Sequence, residues 1–500
     1  MIDLGLLLKG RLDAADARPL RRRLAAALKQ AVLDGTLGAA SVLPASRVLA
    51  RELGCGRNTV LHAYEELAAE GYVLADRQGT VVSHLPTAAA AAAPGPSRPS
   101  RVAGPRLPPL SARSALHMPP SESERENLAP LMPGVPALAD FPLRRWQRRV
   151  AQAWRAVPVP SLGGGGSAGA PVLRAAIAAY LRAARGVRCD PEQVVITSGT
   201  QESLVLCAQL LADAGDRAWM EHPGYVGASA AFAAAGLQAV AVPVDAQGLA
   251  PPPALWQRSP PRLIYATPSH QYPLGVVLSL PRRLALIESA RAAGAWILED
   301  DYDSEFCRGV PLSAMQGLVP DAPVVYLGTF NKTMFPALRL GFAVFPQASL
   351  DTVLPALDWR LVAGRPVEQE ALAAFIQEGD YTAHLRRMRR LYAEREQALR
   401  EALRRHWPLP FALSPGHGGI HLAMTLPAGV PDQALVRAAW QGGLAPRPLS
   451  AFSIGGAEPV NGLVMGYANV AAGAADRVVA ALAQLARRMA GRGARAGGRA

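Results

Sequence analysis

Cysteine is scarce in this 500-residue chain. Cys55, Cys189, Cys207 and Cys307 lie far apart, with no C-x-x-C pair. That spacing argues against a zinc site or a disulfide framework, so no metal is expected and a reducing, cytoplasmic compartment is. No run of 18 or more apolar residues occurs, so no membrane partner is expected either. The apolar stretch Leu4 to Leu8 is too short for a signal peptide, and its basic residues Lys9 and Arg11 follow it rather than precede it. Acids are outnumbered, 39 against 52 Lys+Arg, for a net charge of +13. This fits a nucleic-acid partner but locates no site. Lysine is nearly absent: only Lys9, Lys29 and Lys332 stand among 49 arginines.

Lys332 is thus the only lysine beyond residue 30. Arginine stays protonated, whereas a desolvated lysine amine can lose its proton and form a Schiff base. Gly328-Thr329-Phe330-Asn331-Lys332 follows the apolar run Val324 to Leu327, as a turn after a strand would. Compositional bias that spared one lysine is the plain alternative.

The length suggests two to four domains, and half the residues are apolar, enough for a large core. The expected division is a helix-rich head over 1–84, an Ala/Pro/Arg-rich linker over 85–125, an α/β body over 126–490 and a basic flexible tail over 491–500. The linker contains Arg98, Arg101, Arg106 and Arg113, with no acid before Glu122. In the body, short apolar runs such as Gln193 to Thr197, Arg262 to Ala266, Ala295 to Glu299 and Val324 to Leu327 alternate with helical stretches. This predicts a mostly parallel sheet with helices on both faces.

In the head, Pro19 to Leu33 reads as an amphipathic helix closed by Asp34-Gly35. Leu43 to Gly54 and Arg57 to Leu67 read as two short helices joined by a glycine-containing turn, the helix-turn-helix pattern. The start of the second helix would enter the major groove, with Arg57 reaching a guanine edge or a phosphate, Asn58 reading adenine and Thr59 beside them. Gly71 to Leu74 and Thr80 to Val82 flank Arg77-Gln78-Gly79 as a hairpin wing, its tip suited to the minor groove or a phosphate. A small helical domain with surface arginines is the alternative, since residues 1–84 hold 11 Lys+Arg against 9 Asp+Glu. The motifs Leu43-Pro44-Ala45-Ser46-Arg47, Arg57-Asn58-Thr59-Val60 with Ala63-Tyr64, and Glu70-Gly71-Tyr72 resemble the winged helix-turn-helix of GntR-family regulators. Arg47, Arg57, Asn58, Thr59, Arg77 and Gly79 are the implied DNA contacts. Gly56 departs from the Ser or Thr usual at the recognition-helix cap, which costs only about a few tenths of a kcal/mol.

Ser198-Gly199-Thr200-Gln201 lies between a strand and a helix, where free N–H groups bind phosphate. Glu299-Asp300-Asp301-Tyr302-Asp303 follows an apolar strand, and Arg339 lies seven residues past Lys332. An amine, a carboxylate, a phenol, a phosphate cradle and an arginine are what pyridoxal phosphate requires. Taken singly, the acidic run could be a solvated turn or a metal site, and Ser198 to Gln201 an ordinary cap. Together they sit where ligands bind open α/β sheets.

Residues 126–490 resemble the aminotransferase-like body of MocR-type regulators, GntR-headed proteins with a fold-type I pyridoxal-phosphate domain. The matching stretches are Leu173-Arg174 with Ile177, Thr197 to Gln201, Glu221 to Tyr225, Thr267 to Pro273, Glu299 to Phe306 and Gly328 to Lys332. The resemblance implies an internal aldimine on Lys332, Asp300 at the pyridine nitrogen and Tyr302 at the ring oxygen. It further implies Tyr225 stacked on the ring, with Gly199, Thr200, Gln201 and Arg339 at the phosphate.

Asn331 replaces a usual Ser. The glycine run within Ser161 to Gly169 replaces a tyrosine-containing turn that reaches the partner's phosphate. Gly227 stands where a GABA-responsive member carries Arg. Arg447 is a candidate for an effector carboxylate, or simply faces solvent. His270 and Gln271 face the cofactor in the same reading, with His270 expected to be structural.

The resulting expectation is a transcriptional regulator that binds operator DNA and senses pyridoxal phosphate or an amine or amino-acid effector at Lys332, as a domain-swapped homodimer. The alternatives are a working aminotransferase carrying a DNA-binding head, and a DNA-binding protein whose body holds no cofactor.

Overall fold

The computed structural model describes residues 4–12, 17–76, 79–84, 128–163, 166–309, 312–359 and 364–497. The expected linker and Arg77 lie outside them. The chain forms two compact units, Met1–Pro108 and Pro109–Ala500.

The first unit contains helices α1 (Leu4–Arg11), α2 (Leu20–Leu33), α3 (Ser46–Leu53) and α4 (Arg57–Ala69), and strands β1 (Val42–Leu43), β2 (Val73–Asp76) and β3 (Gly79–Val82). The run Leu4 to Leu8 is a helix, with Leu4 and Leu8 buried against Leu24, Leu28, Leu49 and Val60. Each fully buried leucine of this kind stabilises the unit by about 1.5–3 kcal/mol. Gly54 ends α3 in the left-handed region at φ 65°, which lets the chain turn straight into α4. The hairpin pairs Asp76 with Gly79, and β1 adds a third antiparallel strand in the order β1-β3-β2. Sequence had suggested only two strands, because a two-residue edge strand has no periodicity to detect.

The second unit is built on an eight-stranded sheet in the order β4-β11-β10-β9-β8-β5-β6-β7. Its strands are β4 (Val194–Thr197), β5 (Arg217–His222), β6 (Gln238–Asp245), β7 (Gly248–Leu249), β8 (Leu263–Ala266), β9 (Trp296–Asp301), β10 (Val324–Thr329) and β11 (Gly341–Val344). β6, β5, β8, β9 and β10 run parallel, while β11 and β7 are antiparallel to their neighbours. Alternate residues serve opposite faces. Tyr265, Leu298 and Val325 enter one core, and Ile264, Ile297 and Val324 the other. Burial on both faces explains why these strands read as unbroken apolar runs. Thr197, His222, Ala266, Asp301 and Thr329 end their strands at a common edge, where the site forms.

A smaller antiparallel sheet joins β12 (His421–Thr425), β14 (Gly462–Gly466) and β13 (Arg447–Pro448), in that order. The long helices Asp380–His406 and Ala475–Gly497 contribute Leu399, Leu403, Val479 and Leu482 to the core that extends beneath it. The segment read as a tail from 491 continues as helix to Gly497. Ala-rich sequence propagates a helix that the packed turns before it have already nucleated.

Gly341 on β11 faces the turn after β4, where a Cβ would lie 2.6 Å from Gly199 Cα and 2.9 Å from the Gly328 carbonyl oxygen. Backbone cannot yield as a flexible side chain can. Gly341→Ala is expected to destabilise the body by about 1–3 kcal/mol, read as a lower urea midpoint at unchanged m-value.

Candidate cofactor site and nucleic-acid interface

Lys332 sits three residues past the end of β10. The turn is fixed on both sides. Phe330 is buried, the Tyr381 hydroxyl donates to Thr333 Oγ1 at 3.1 Å, and His384 Nε2 lies 2.8 Å from the Thr333 carbonyl. Burial pushes the His384 pKa down to about 4, so a neutral ring donates to that carbonyl. The Lys332 amine donates to the Gly134 carbonyl at 2.9 Å. Burial lowers its pKa, against the opposing pull of Asp303 and Asp300. A buried amine with a lowered pKa is the state a nucleophilic lysine needs.

Asp300 and Asp301 are consecutive on β9 and therefore face opposite sides of the sheet. Asp301 pairs with buried Arg185 at 2.7 Å and accepts the Tyr326 hydroxyl at 2.6 Å. Asp300 has no cation partner among the described residues. Its Oδ2 accepts the Tyr265 hydroxyl at 2.7 Å, and its Oδ1 is buried without a hydrogen-bond partner. Burial raises its pKa to about 7. A protonated ring nitrogen is the donor this oxygen lacks, so the residues fit a pyridine cofactor.

The phosphate end lies between β4 and the helix Thr200–Leu211. Gly199, at φ 106°, turns the chain so that a Cβ would lie 2.8 Å from Asn331 Nδ2. The Asn331 side chain therefore borders this turn, and its Oδ1 is buried without a partner. Gln201 Nε2 donates to the Gly227 carbonyl at 3.0 Å, which leaves the backbone N–H as its free donor. Tyr225 folds back over Gly227, where a Cβ would lie 2.3 Å from the ring's Cζ. Burial raises the Tyr225 pKa to about 12; Asp300 pushes the same way and Arg339 opposes. The ring therefore stands within the fields of both the carboxylate and the phosphate-end arginine.

Tyr302 is placed differently from expectation: its hydroxyl donates to the His270 carbonyl at 3.0 Å. His270 is buried, with Nδ1 2.9 Å from Asp303 Oδ2. Burial works to lower its pKa, but Asp303 overcomes this and the net shift is upward. Asp303 also ends above its ordinary value, because burial outweighs the imidazole. His421 completes a group whose polar atoms lie within 4.8 Å of one another, a spacing compatible with a metal ion. No local motif signals it, since β12 brings His421 in from far along the chain. Gln271 is tied to Glu221, Pro223 and Tyr272. Arg447 lies with its guanidinium 5.1 Å from the Trp440 ring centre. Its charge also reaches Tyr272, which packs edge-on to Tyr225. Tyr265, Gly134 and Asp303 were not legible as site residues, because each looks like ordinary strand or loop until the chain folds.

In the first unit, Arg47, Arg57 and Asn58 are exposed, and Thr59 is half-buried at the start of α4. Gly56 precedes α4 in extended conformation and offers no side-chain cap. Lys29 on α2 binds Glu66 and Glu70 on α4, each at 2.7 Å, and fixes the helix far from its DNA-facing start. Gly79 opens β3 directly after the wing tip.

In the cofactor-free protein, a raised Asp300 pKa means that the folded state binds a proton the unfolded chain gives up between about pH 4 and 7. Stability tied to this group is present at low pH and lost as pH rises through about 7. Asp300→Asn is therefore expected to exceed the wild type in stability by roughly 2–4 kcal/mol at pH 8, with the difference vanishing near pH 4; urea unfolding at both pH values measures it. On the head, Arg57→Ala and Asn58→Ala are each expected to weaken operator binding by roughly 1–3 kcal/mol, read by fluorescence anisotropy at fixed salt.

The comparisons with known proteins agree with this arrangement. Residues 20–82 match the bacterial regulatory proteins of the gntR family, and residues 160–482 match aminotransferase class I and II. The chain is 39% identical over 459 residues to the probable rhizopine catabolism regulatory protein MocR of Rhizobium meliloti, covering 90% of each chain. It is 32% identical to the HTH-type pyridoxine biosynthesis transcriptional regulator PdxR of Corynebacterium glutamicum, over 88% of this chain and 90% of that one. Among solved structures it resembles LysN, the alpha-aminoadipate aminotransferase of Thermus thermophilus complexed with N-(5'-phosphopyridoxyl)-L-leucine. The TM-score is 0.69 at 28% identity, covering 76% of this chain and 97% of that one. With a gntR head and a class I and II aminotransferase body joined in one chain, the protein belongs to the MocR-type transcriptional regulators.

Proposed function

We propose that this regulator carries pyridoxal 5'-phosphate on Lys332 and uses its body to sense an amine or amino-acid effector, which changes how the head binds operator DNA. The observation that carries the reading is the pairing at two adjacent strand ends: a buried amine of lowered pKa after β10, and a buried carboxylate with one bare oxygen at the end of β9. When bound, the cofactor supplies an aldehyde and an electron-accepting ring. Lys332 offers the amine for attachment, and Asp300 Oδ1 accepts from the ring nitrogen while Tyr265 holds Oδ2 in place. Tyr225 covers the ring. The backbone N–H groups of Gly199, Thr200 and Gln201, together with Arg339, take the phosphate. Tyr302 contributes through its bond to His270, within reach of a ring oxygen.

Gly227 leaves no room for a larger side chain beneath Tyr225, which disfavours an arginine-bound GABA-like effector. Arg447, close enough to act on Tyr272, is the candidate partner for an effector carboxylate. The reading includes a domain-swapped homodimer and a cytoplasmic location. The first is supported by the resemblance to MocR-type regulators, the second by a DNA-binding head and four unbridged cysteines. Among the described residues, no helix is long and apolar enough to cross a membrane. The complete set of amine, acid and aromatic cover also suits turnover. Keto-acid production beyond one equivalent per site would favour that second reading.

The purified wild type is expected to show a visible absorption band that Lys332→Ala lacks. Borohydride reduction followed by mass spectrometry is expected to place the adduct on Lys332. An adduct on Lys9 or Lys29 alone, or none at all, overturns the proposal.

A further inference from the structure

Behind the cofactor residues, the helix Asp380–His406 and the segment 306–309 enclose a cavity of about 220 Å³ with Gly418 and Gly419. Lys332, Asp300, Tyr225 and Arg339 do not line it. Two buried polar groups of its lining have no hydrogen-bond partner. One is the Tyr467 hydroxyl. The other is Glu396 Oε2, whose residue is only 1% exposed. Arg400 Nε donates to Glu396 Oε1 at 2.8 Å. Arg308 Nη2 approaches Oε2 to 2.9 Å, an ion-pair contact that lacks hydrogen-bond geometry. Arg308 and Arg389 are exposed at the rim.

A buried carboxylate oxygen without a donor is costly, and a compact ammonium with several N–H groups is the strongest remedy. A simple anion would satisfy the rim arginines but meet Glu396. A simple cation would satisfy Glu396 but meet the arginines. A ligand with both charges satisfies both. The volume lies below the range for drug-sized ligands, which limits the occupant to amino-acid size. We infer that this cavity is a second binding site, separate from Lys332, for a small zwitterion whose ammonium meets Glu396 and Tyr467 and whose carboxylate meets Arg389 and Arg308.

Its inner wall borders the cofactor site. Gly418 bridges to Cys307, and Gly419 lies so close to the His270–Asp303 pair that a Cβ would fall 2.4 Å from His270 Cε1 and 2.6 Å from Asp303 Oδ2. Asp303 is one of the two carboxylates whose charge acts on Lys332. An occupant therefore sits one backbone layer from the groups that set the state of that amine.

The test uses the full-length protein and N,N-dimethylglycine, a tertiary amine that cannot condense with an aldehyde, so the result does not depend on Lys332 chemistry. Isovalerate, of the same shape but without the N–H, is the control. Calorimetry is expected to show saturable binding of N,N-dimethylglycine, at least about tenfold tighter than isovalerate, as a charge-assisted hydrogen bond would give. Glu396→Gln is expected to abolish that preference, and Tyr467→Phe and Arg389→Ala each to weaken binding about tenfold. Lys332→Ala is expected to bind as the wild type does. Equal affinity for the two probes, no saturable binding, or binding unchanged in both Tyr467→Phe and Arg389→Ala overturns the inference. Should Glu396→Gln not fold, those two milder variants decide it.

Discussion

The cost of burying charge at the edge of a parallel sheet shapes the whole second unit. Glu221, Glu299 and Asp300 all lie at or near strand ends, and burial raises each pKa to about 7. Two of them find neutral donors. Glu299 receives the backbone N–H groups of Met315 and Gln316 at 2.8 and 3.0 Å, and Glu221 receives the Thr267 hydroxyl at 2.6 Å and Gln271. Asp300 is held at one oxygen only. A fold that satisfies its neighbours and leaves this oxygen bare has kept it for a ligand, since an unmet buried acceptor is destabilising.

The geometry of the β-strand makes that division possible. Because side chains alternate, two adjacent aspartates on β9 serve unrelated tasks. Asp301 locks Arg185 and Tyr326 inside the body, and Asp300 faces the cofactor pocket. The same alternation separates the Tyr265 layer from the Ile264 layer in the cores. Rigid strands thus deliver the amine, the acid and the phosphate turn to one edge, while Thr333, held by Tyr381 and His384, keeps the lysine turn from drifting. Close backbone approaches at Gly199 and Gly341 leave this edge little freedom to rearrange.

The two units differ in how their function is encoded. The head's DNA face is a local matter: Arg57 and Asn58 owe their exposure to the few residues that start α4 after Gly54 and Gly56. The body's site is assembled from residues hundreds of positions apart, as the Lys332 bond to the Gly134 carbonyl illustrates. A regulator built this way can keep a short, self-contained reading head while the sensing part depends on the whole fold.

Much was legible in sequence for physical reasons that act locally. A lone lysine after an apolar run, a glycine turn before a helix and an acidic run after a strand each mark an element boundary, and boundaries are where open sheets bind ligands. Helix-turn-helix spacing is likewise a short-range pattern. The tertiary structure alone decided that Tyr265 holds Asp300, that Tyr302 bonds to His270, and that His421 joins Asp303. It alone decided that Glu396 and Tyr467 open onto a cavity of their own. The physical reason is that sequence determines which groups lie at the ends of elements, whereas burial and hydrogen-bond satisfaction depend on what packs across from them, and that is set only when distant segments meet.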